Sequence, residues 1–178
     1  SNYMPSKTLS KLMSEAMFEV GAPQFDAEEL AFAKEMHDSL TEDEKKFMLV
    51  PPATPVEKKV LAENQGKVLA DYIYPYNEVL ANITMPGSTD VGDVSWVVPT
   101  AQCIITTEIQ NTAMHSWQWV ANGKTSIAKK GMLTAAKVMA ATALKAIENP
   151  AILAEAKAEL EAITAQTPYV NPIPADVK

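Results

Sequence analysis

The sequence predicts layered α/β or α+β packing, and three observations carry that reading. Helical periodicity fills the first third, β-branched runs cut by prolines occupy the middle, and helical periodicity returns at the end. The strand candidates are few for so many helices. The expectation is therefore a small partial sheet, with another chain or a missing segment supplying the rest.

Leu9, Leu12, Met13, Ala16, Met17 and Val20 recur at helical spacing, and Gly21 followed by Pro23 ends that helix. Asp26 and Glu29 form a capping-box pair opening a second helix to about Leu40, with Phe25 and Leu30 placed as a hydrophobic staple. That helix is expected to bury some of Leu30, Phe32, Ala33 and Met36. Thr41 with Glu44 repeats the spacing and predicts a short helix through Met48. Pro51, Pro52 and Pro55 then open an irregular excursion over 51–86, with a turn or two of helix within 56–65 and a strand candidate at Tyr72–Tyr74. Leu80, Ile83 and Met85 continue its apolar content.

Val94–Val98 and Ala101–Ile109 are the main strand candidates, the second rich in isoleucine and threonine. Lys124–Ile147 is the longest helix candidate. Lys130, Thr134, Lys137, Lys145 and Glu148 lie on one side and Met132, Ala135, Ala136, Met139, Ala143 and Ile147 on the other, so the second side is expected to face inward. Asn149-Pro150 opens a last helix packing Leu153, Ala156, Leu160 and Ile163. Residues 167–178 read as an extended tail, and residues 1–4 as tag-derived or disordered.

The chain has 178 residues, 47% of them hydrophobic and 21% charged, which suits one ordinary globular domain and excludes disordered and coiled-coil classes. Its 15 basic residues are all lysine, against 22 acidic ones, for a net charge of −7. Without arginine, the chain lacks the best residue for bidentate contact with phosphate or guanine, so no nucleic-acid partner is expected. No apolar run approaches the roughly 18–20 residues of a membrane span. Cys103 is the single cysteine. That rules out an intramolecular disulfide and a cysteine-cluster zinc site, and fits a reducing, cytoplasmic compartment.

His37 reads as a residue on a solvated helix face. His115 differs, because it follows the second strand candidate in Asn111-Thr112-Ala113-Met114-His115-Ser116-Trp117. Loops after strands are where α/β proteins place chemistry, and neutral imidazole is a common metal ligand. Gly87-Ser88-Thr89-Asp90-Val91-Gly92-Asp93 is a tight polar loop. It reads either as an Asp/Gly turn or as a site loop whose carboxylate orients a ligand or a metal-bound histidine. Trp117 and Trp119 read equally as walls of a pocket and as core or interface anchors. Nothing resembles a nucleophile elbow, a Walker loop or a dinucleotide fingerprint. Cys103 with His115 makes a nucleophile pair only if folding joins them.

Gly87-Ser88-Thr89-Asp90 and Met114-His115-Ser116, then Gly123-Lys124-Thr125-Ser126 and a long Ala-rich helix, together resemble a known family. It is the amidohydrolase branch of the dinuclear metallopeptidases related to carboxypeptidase G and aminoacylase. Gly87 to Ile147 carries the likeness most strongly, and Val20-Gly21-Ala22-Pro23-Gln24-Phe25 adds to it. The resemblance implies an α/β fold, the C-terminal half of a metallopeptidase-like catalytic domain with helices on a small partial sheet, spanning residues 1–178. It implies a full-length enzyme cleaving an amide bond to glutamate or a similar amino acid in a small acyl-amino-acid substrate, using two divalent ions, zinc or manganese.

His115 would be a metal ligand. Asp90, with Thr89, Ser88 and Gly87, would face substrate or orient ligands, Asp93 ranks lower, and Trp117 stands beside the site. The family's remaining ligands come from an N-terminal segment with a His-x-Asp motif that this chain lacks. This chain alone is therefore expected to be inactive and to hold no metal stably. Its expected partners are the missing N-terminal segment and either a second hydrolase subunit or a second copy. The rival expectations are a non-catalytic protein-interaction module and a Cys103/His115 thiol hydrolase.

Overall fold

In the computed structural model, which describes residues 1–48, 51–79, 89–174, 176 and 177, every regular element is helical. The elements are α1 (Lys7–Val20), α2 (Ala27–Asp38), a 3-10 turn at Glu44–Lys46, α3 (Pro55–Glu63), α4 (Val91–Ser95), α5 (Trp117–Asn122), α6 (Ser126–Glu148) and α7 (Pro150–Thr164). The chain forms two compact units, Ser1–Glu15 with Tyr76–Gln102 and Ala141–Lys178, and Ala16–Pro75 with Cys103–Ala140. We call them the first and second unit.

The α/β expectation is therefore corrected, because the described residues contain no strand. Ala101–Ile109 has no regular structure and joins no ladder. Its neighbour, residues 67–72, is held through side chains instead. The Thr106 hydroxyl donates to the Ala70 carbonyl at 2.7 Å, the Gln110 side chain donates to the Lys67 carbonyl at 3.0 Å, and the Tyr72 hydroxyl donates to Gln110 at 3.2 Å. One backbone bond accompanies them, from Gln110 N–H to the Val68 carbonyl at 2.8 Å. β-branched composition expresses fit to a pleated, half-buried surface, and without a partner running alongside in register it does not make a strand. Tyr72–Tyr74 stays irregular for the same reason. Of Val94–Val98, Val94 and Ser95 end α4 and the other three turn out of it; buried Ser95 donates to the Gly92 carbonyl at 2.5 Å and accepts from Met4 N–H at 2.9 Å. Tertiary bonding outweighs valine's weak preference there.

In the second unit, Ala33, Leu69, Ile109 and Ile127 form the core, with Phe25, Phe32, Met36 and Val68 packed against it. The end of α1 closes as predicted, since Gly21 takes φ 82 and its N–H reaches the Met17 carbonyl at 2.9 Å. The Asp26/Glu29 capping box forms in both directions. Leu30 is 45% exposed, so the expected staple residue is not buried. The Thr41/Glu44 cap also forms, yet only the single 3-10 turn follows it. A further capping box, Thr54 with Glu57, opens α3, the short helix expected within 56–65.

α6 matches its predicted span but not its predicted face. Ile127, Gly131, Thr134 and Val138 point inward, while Met132 (61% exposed), Leu133 (58%) and Met139 (55%) point outward. Close backbone approach decides this. A β-carbon on Gly131 would lie 2.1 Å from the Thr106 carbonyl oxygen, so the helix seats its glycine, not its methionines, against residues 106–107.

In the first unit, Glu159 of α7 holds the start of α1. It accepts from the Ser6 hydroxyl at 3.0 Å, Lys7 N–H at 2.7 Å and Thr8 N–H at 3.2 Å, satisfying amides that a helix N-terminus leaves open. Burial would raise its carboxyl, but these bonds lower it. Ala156 is the buried contact of α7, whereas Leu153 and Ile163 remain exposed, contrary to expectation. Asn149 makes no side-chain cap. Leu80, Ile83 and Met85 of the excursion lie outside the described residues.

Candidate functional site

The loop of residues 110–116 sits in the second unit and has an unusual backbone. Asn111 (φ 69) and His115 (φ 64) are both left-handed, a conformation that costs a non-glycine residue roughly 1–2 kcal/mol. Each is held by neighbours. The Asn111 amide donates to the Phe47 carbonyl at 2.6 Å, and buried Thr112 donates its N–H to the Ile109 carbonyl at 3.3 Å. On the other side of His115, the Ser116 hydroxyl donates to the Ala113 carbonyl at 2.7 Å and accepts from Trp119 N–H at 3.2 Å, capping α5. The loop is thus anchored at both ends, and His115 is exposed between the anchors.

Trp117, two residues on, is 62% exposed, and Met114 and Val120 are exposed as well. Trp119 is half-buried. The apolar recess of this unit, lined by Met17, Pro23, Ala70, Tyr72, Ile104 and Val138, includes neither His115 nor Trp117.

Thr89, Asp90 and Asp93 belong to the first unit, at the start of α4. The Thr89 hydroxyl accepts from Val91 N–H at 3.3 Å, the local bond of a polar turn. Asp90 is exposed and its side chain makes no cap bond. Asp93 is already engaged. It pairs with the Ser1 amino group at 3.1 Å, and bonds from Ser1 lower its carboxyl. Gly87 and Ser88 lie outside the described residues. His115 and Trp117 thus fall in the second unit, and Thr89, Asp90 and Asp93 in the first.

A metal centre of the implied kind needs about three protein donors or more. Among the described residues, no three His, Cys, Asp or Glu side chains gather where they could hold an ion. The donors among the described residues make no complete metal site, and His115 is the exposed imidazole that one could use. The thiol alternative meets its own obstacle. Burial pushes the Cys103 thiol up, opposite to the direction that activates a nucleophile.

Sequence reasoning passed over Glu108, whose half-buried carboxyl is raised by burial against the hydrogen bond from Thr107. An acidic residue inside a β-branched run is the signal that would have marked it. It also passed over the pairing of Glu29 with Lys130 at 2.5 Å. Burial would raise the Glu29 carboxyl, but bonds from Lys130, Ser126 and the Asp26 backbone bring it down to about 2. That pair joins the start of α2 to α6 and is structural.

No helix among the described residues is long and apolar enough to cross a membrane. No family model matches the chain, and no solved structure matches it. Among curated proteins, the chain is 39% identical over 180 residues to one of the subunits of p-aminobenzoyl-glutamate hydrolase of Escherichia coli (strain K12). The match takes in 99% of this chain but only 37% of that relative's length, so what this chain resembles is a portion of that hydrolase subunit.

Proposed function

We propose that this chain is part of a hydrolase that cleaves an amide bond to glutamate or a similar amino acid, with p-aminobenzoyl-glutamate the leading substrate. The observation that supports it is the 39% identity running through 99% of the chain. In this reading, His115 supplies one imidazole donor to a centre of two divalent ions, zinc or manganese. The remaining donors come from parts of the full-length polypeptide beyond these residues. An exposed imidazole on a loop pinned by Asn111 and Ser116 suits that role, because a ligand must be held in place before the metal arrives. Asp90 and Thr89 are the next residues to face substrate, and Asp93, which has no counterpart in the Gly-Ser-Thr-Asp motif, ranks behind them. The relative's name marks it as one subunit of its hydrolase, which supports a second hydrolase subunit as partner, a homodimer being the other arrangement. The single cysteine supports a cytoplasmic setting.

The deciding assay uses the full-length protein on p-aminobenzoyl-glutamate and a panel of acyl-amino acids, before and after chelation, beside His115→Ala. The reading expects chelation to abolish hydrolysis, zinc or manganese to restore it, and the variant to lose at least about 100-fold. Metal-independent hydrolysis, or a variant within about twofold of wild type, removes His115 as a ligand. The exposure of Met114, Trp117 and Val120 favours a second reading, a surface that binds a protein partner. A folded, metal-free protein with no hydrolysis, with and without its partner subunit, would point there.

A further inference from the structure

Asn122-Gly123 is the only asparagine–glycine pair in the chain, and it stands at the junction between α5 and α6. Such a pair can modify itself. The glycine backbone nitrogen, once it has lost its proton, attacks the asparagine Cγ; ammonia leaves and a cyclic imide forms. Water then opens the imide at either carbonyl, giving aspartate or isoaspartate. Glycine permits this most readily, since no side chain shields its nitrogen, and asparagine is a thermolabile residue for this reason.

In the folded chain both reacting groups are committed elsewhere. The Asn122 side chain is fully buried, and its Nδ2 donates to the Gln118 carbonyl at 2.9 Å. Gly123 N–H donates to the Val120 carbonyl at 3.2 Å. The ring therefore cannot close while α5 is wound. Unwinding it takes little. Its 6 residues are too few for a helix that stands alone. It turns Trp117 and Val120 outward and buries two amides, Gln118 and Asn122. Among the described residues, the Asn122 Oδ1 is buried without a donor, so unwinding exchanges an unmet acceptor for a hydrated one.

We propose that Asn122-Gly123 is a self-modification site gated by the unwinding of α5, and that its conversion unpins the His115 loop in one direction only. Aspartate at 122 replaces the Nδ2 donor with a carboxylate oxygen facing the Gln118 carbonyl, a buried charge with no donor. Isoaspartate routes the backbone through Cβ and Cγ, which adds an atom to the chain and turns the former main-chain carbonyl into a free carboxylate. In the unmodified chain that carbonyl accepts Thr125 N–H at 2.9 Å and the Thr125 hydroxyl at 2.7 Å, bonds that join α5 to the start of α6. Neither product rebuilds the wound end of α5. Ser116, which caps α5 and holds Ala113, then loses its helix, and the anchor on that side of His115 goes with it. The inference concerns the backbone under this loop and stands whether or not His115 binds a metal.

The test ages the native full-length protein and follows residue 122 by peptide mass spectrometry, which separates asparagine, aspartate and isoaspartate. The reference is the same protein unfolded in guanidinium at the same pH. A gated site converts at least about tenfold and less than about a hundredfold more slowly in the native state, the opening range of a marginal segment. Ser116→Ala removes the cap and raises the native rate about fivefold. Native conversion above the first bound or below the second overturns the proposal, and so does a rate that Ser116→Ala leaves unchanged. Asn122→Asp carries one product and reads the consequence. Amide exchange over residues 113–122 rises at least about tenfold in it, while that of α2 stays as in wild type. Exchange equal to wild type refutes the unpinning. If Asn122→Asp does not fold, aged wild-type protein carrying the product gives the same reading.

Discussion

Replacing Gly131 with alanine should destabilise the protein, although the same change in an ordinary helix stabilises it. Helix propensity alone favours alanine by about 1 kcal/mol. Opposing it, the new methyl carbon would stand 2.1 Å from the Thr106 carbonyl oxygen and 2.7 Å from the Thr107 Cγ2. A weak carbon–oxygen contact sits near 3.3–3.6 Å, so the helix and residues 106–107 must separate by about an ångström. The nearest obstacle is backbone, which no rotamer change relieves. Lys130, adjacent in sequence, is held by Glu29 and resists the shift. Overpacking costs about 1–3 kcal/mol, and an obstacle that is backbone puts this site in the upper part of that range, about 2–3 kcal/mol. After the propensity gain, a net loss of about 1–2 kcal/mol remains, a fall in Tm of roughly 2–8 °C for a chain of this size. Urea titration followed by circular dichroism reads it as a lower midpoint at unchanged slope. Gly123, at φ −60 with only the Val120 carbonyl at 3.4 Å, is the control, and its alanine variant should stay within about 0.5 kcal/mol. A Gly131→Ala midpoint equal to or above wild type would refute the close approach and, with it, the outward setting of the methionines.

The Glu29 carboxyl lies at about 2 when folded against 4.5 otherwise, so its contribution is complete above the unfolded value and is lost as pH falls from there toward 2. Acid titration of wild type and Glu29→Gln should converge over that window, with the variant about 1–3 kcal/mol less stable at neutral pH, and parallel curves would contradict the pairing. Thr54→Ala removes one half of the α3 capping box and should cost about 1 kcal/mol in urea titration, with Thr54→Ser nearly restoring it. Asn111→Gly relieves a left-handed residue but deletes the bond to the Phe47 carbonyl. It should leave stability within about 1 kcal/mol and loosen the loop, seen as faster amide exchange at Thr112–Ser116.

Helices were legible wherever their boundaries had local chemistry. Asp26 with Glu29 and Gly21 before Pro23 each act within a few residues, and each does in the structure what its spacing implies. Strands were not legible, because a strand is a property of two segments. The β-branched stretch 101–109 was visible, but not whether a neighbour would lie in register beside it, and residues 67–72 meet it mainly through side chains. The site residues divide along the same line. His115 and Ser116 stood out through their order in a loop, and the structure adds the anchoring of that loop. Asn111 gave no comparable signal, since its left-handed backbone depends on Phe47, far away in sequence.

Periodicity shows that a helix has two faces, yet hydrophobicity alone does not say which one meets the rest of the described chain. In α6 that choice went to the face with the smaller groups, because Gly131 lets the helix approach residues 106–107 more closely than any side chain would allow. Thr134 joins Gly131 on this inner line, and its hydroxyl is satisfied by the Lys130 carbonyl at 2.9 Å, so a polar residue there goes in without an unmet bond. The larger apolar residues are then left exposed among the described residues. A glycine at contact distance is therefore better evidence of which helix face is buried than the hydrophobicity of either face.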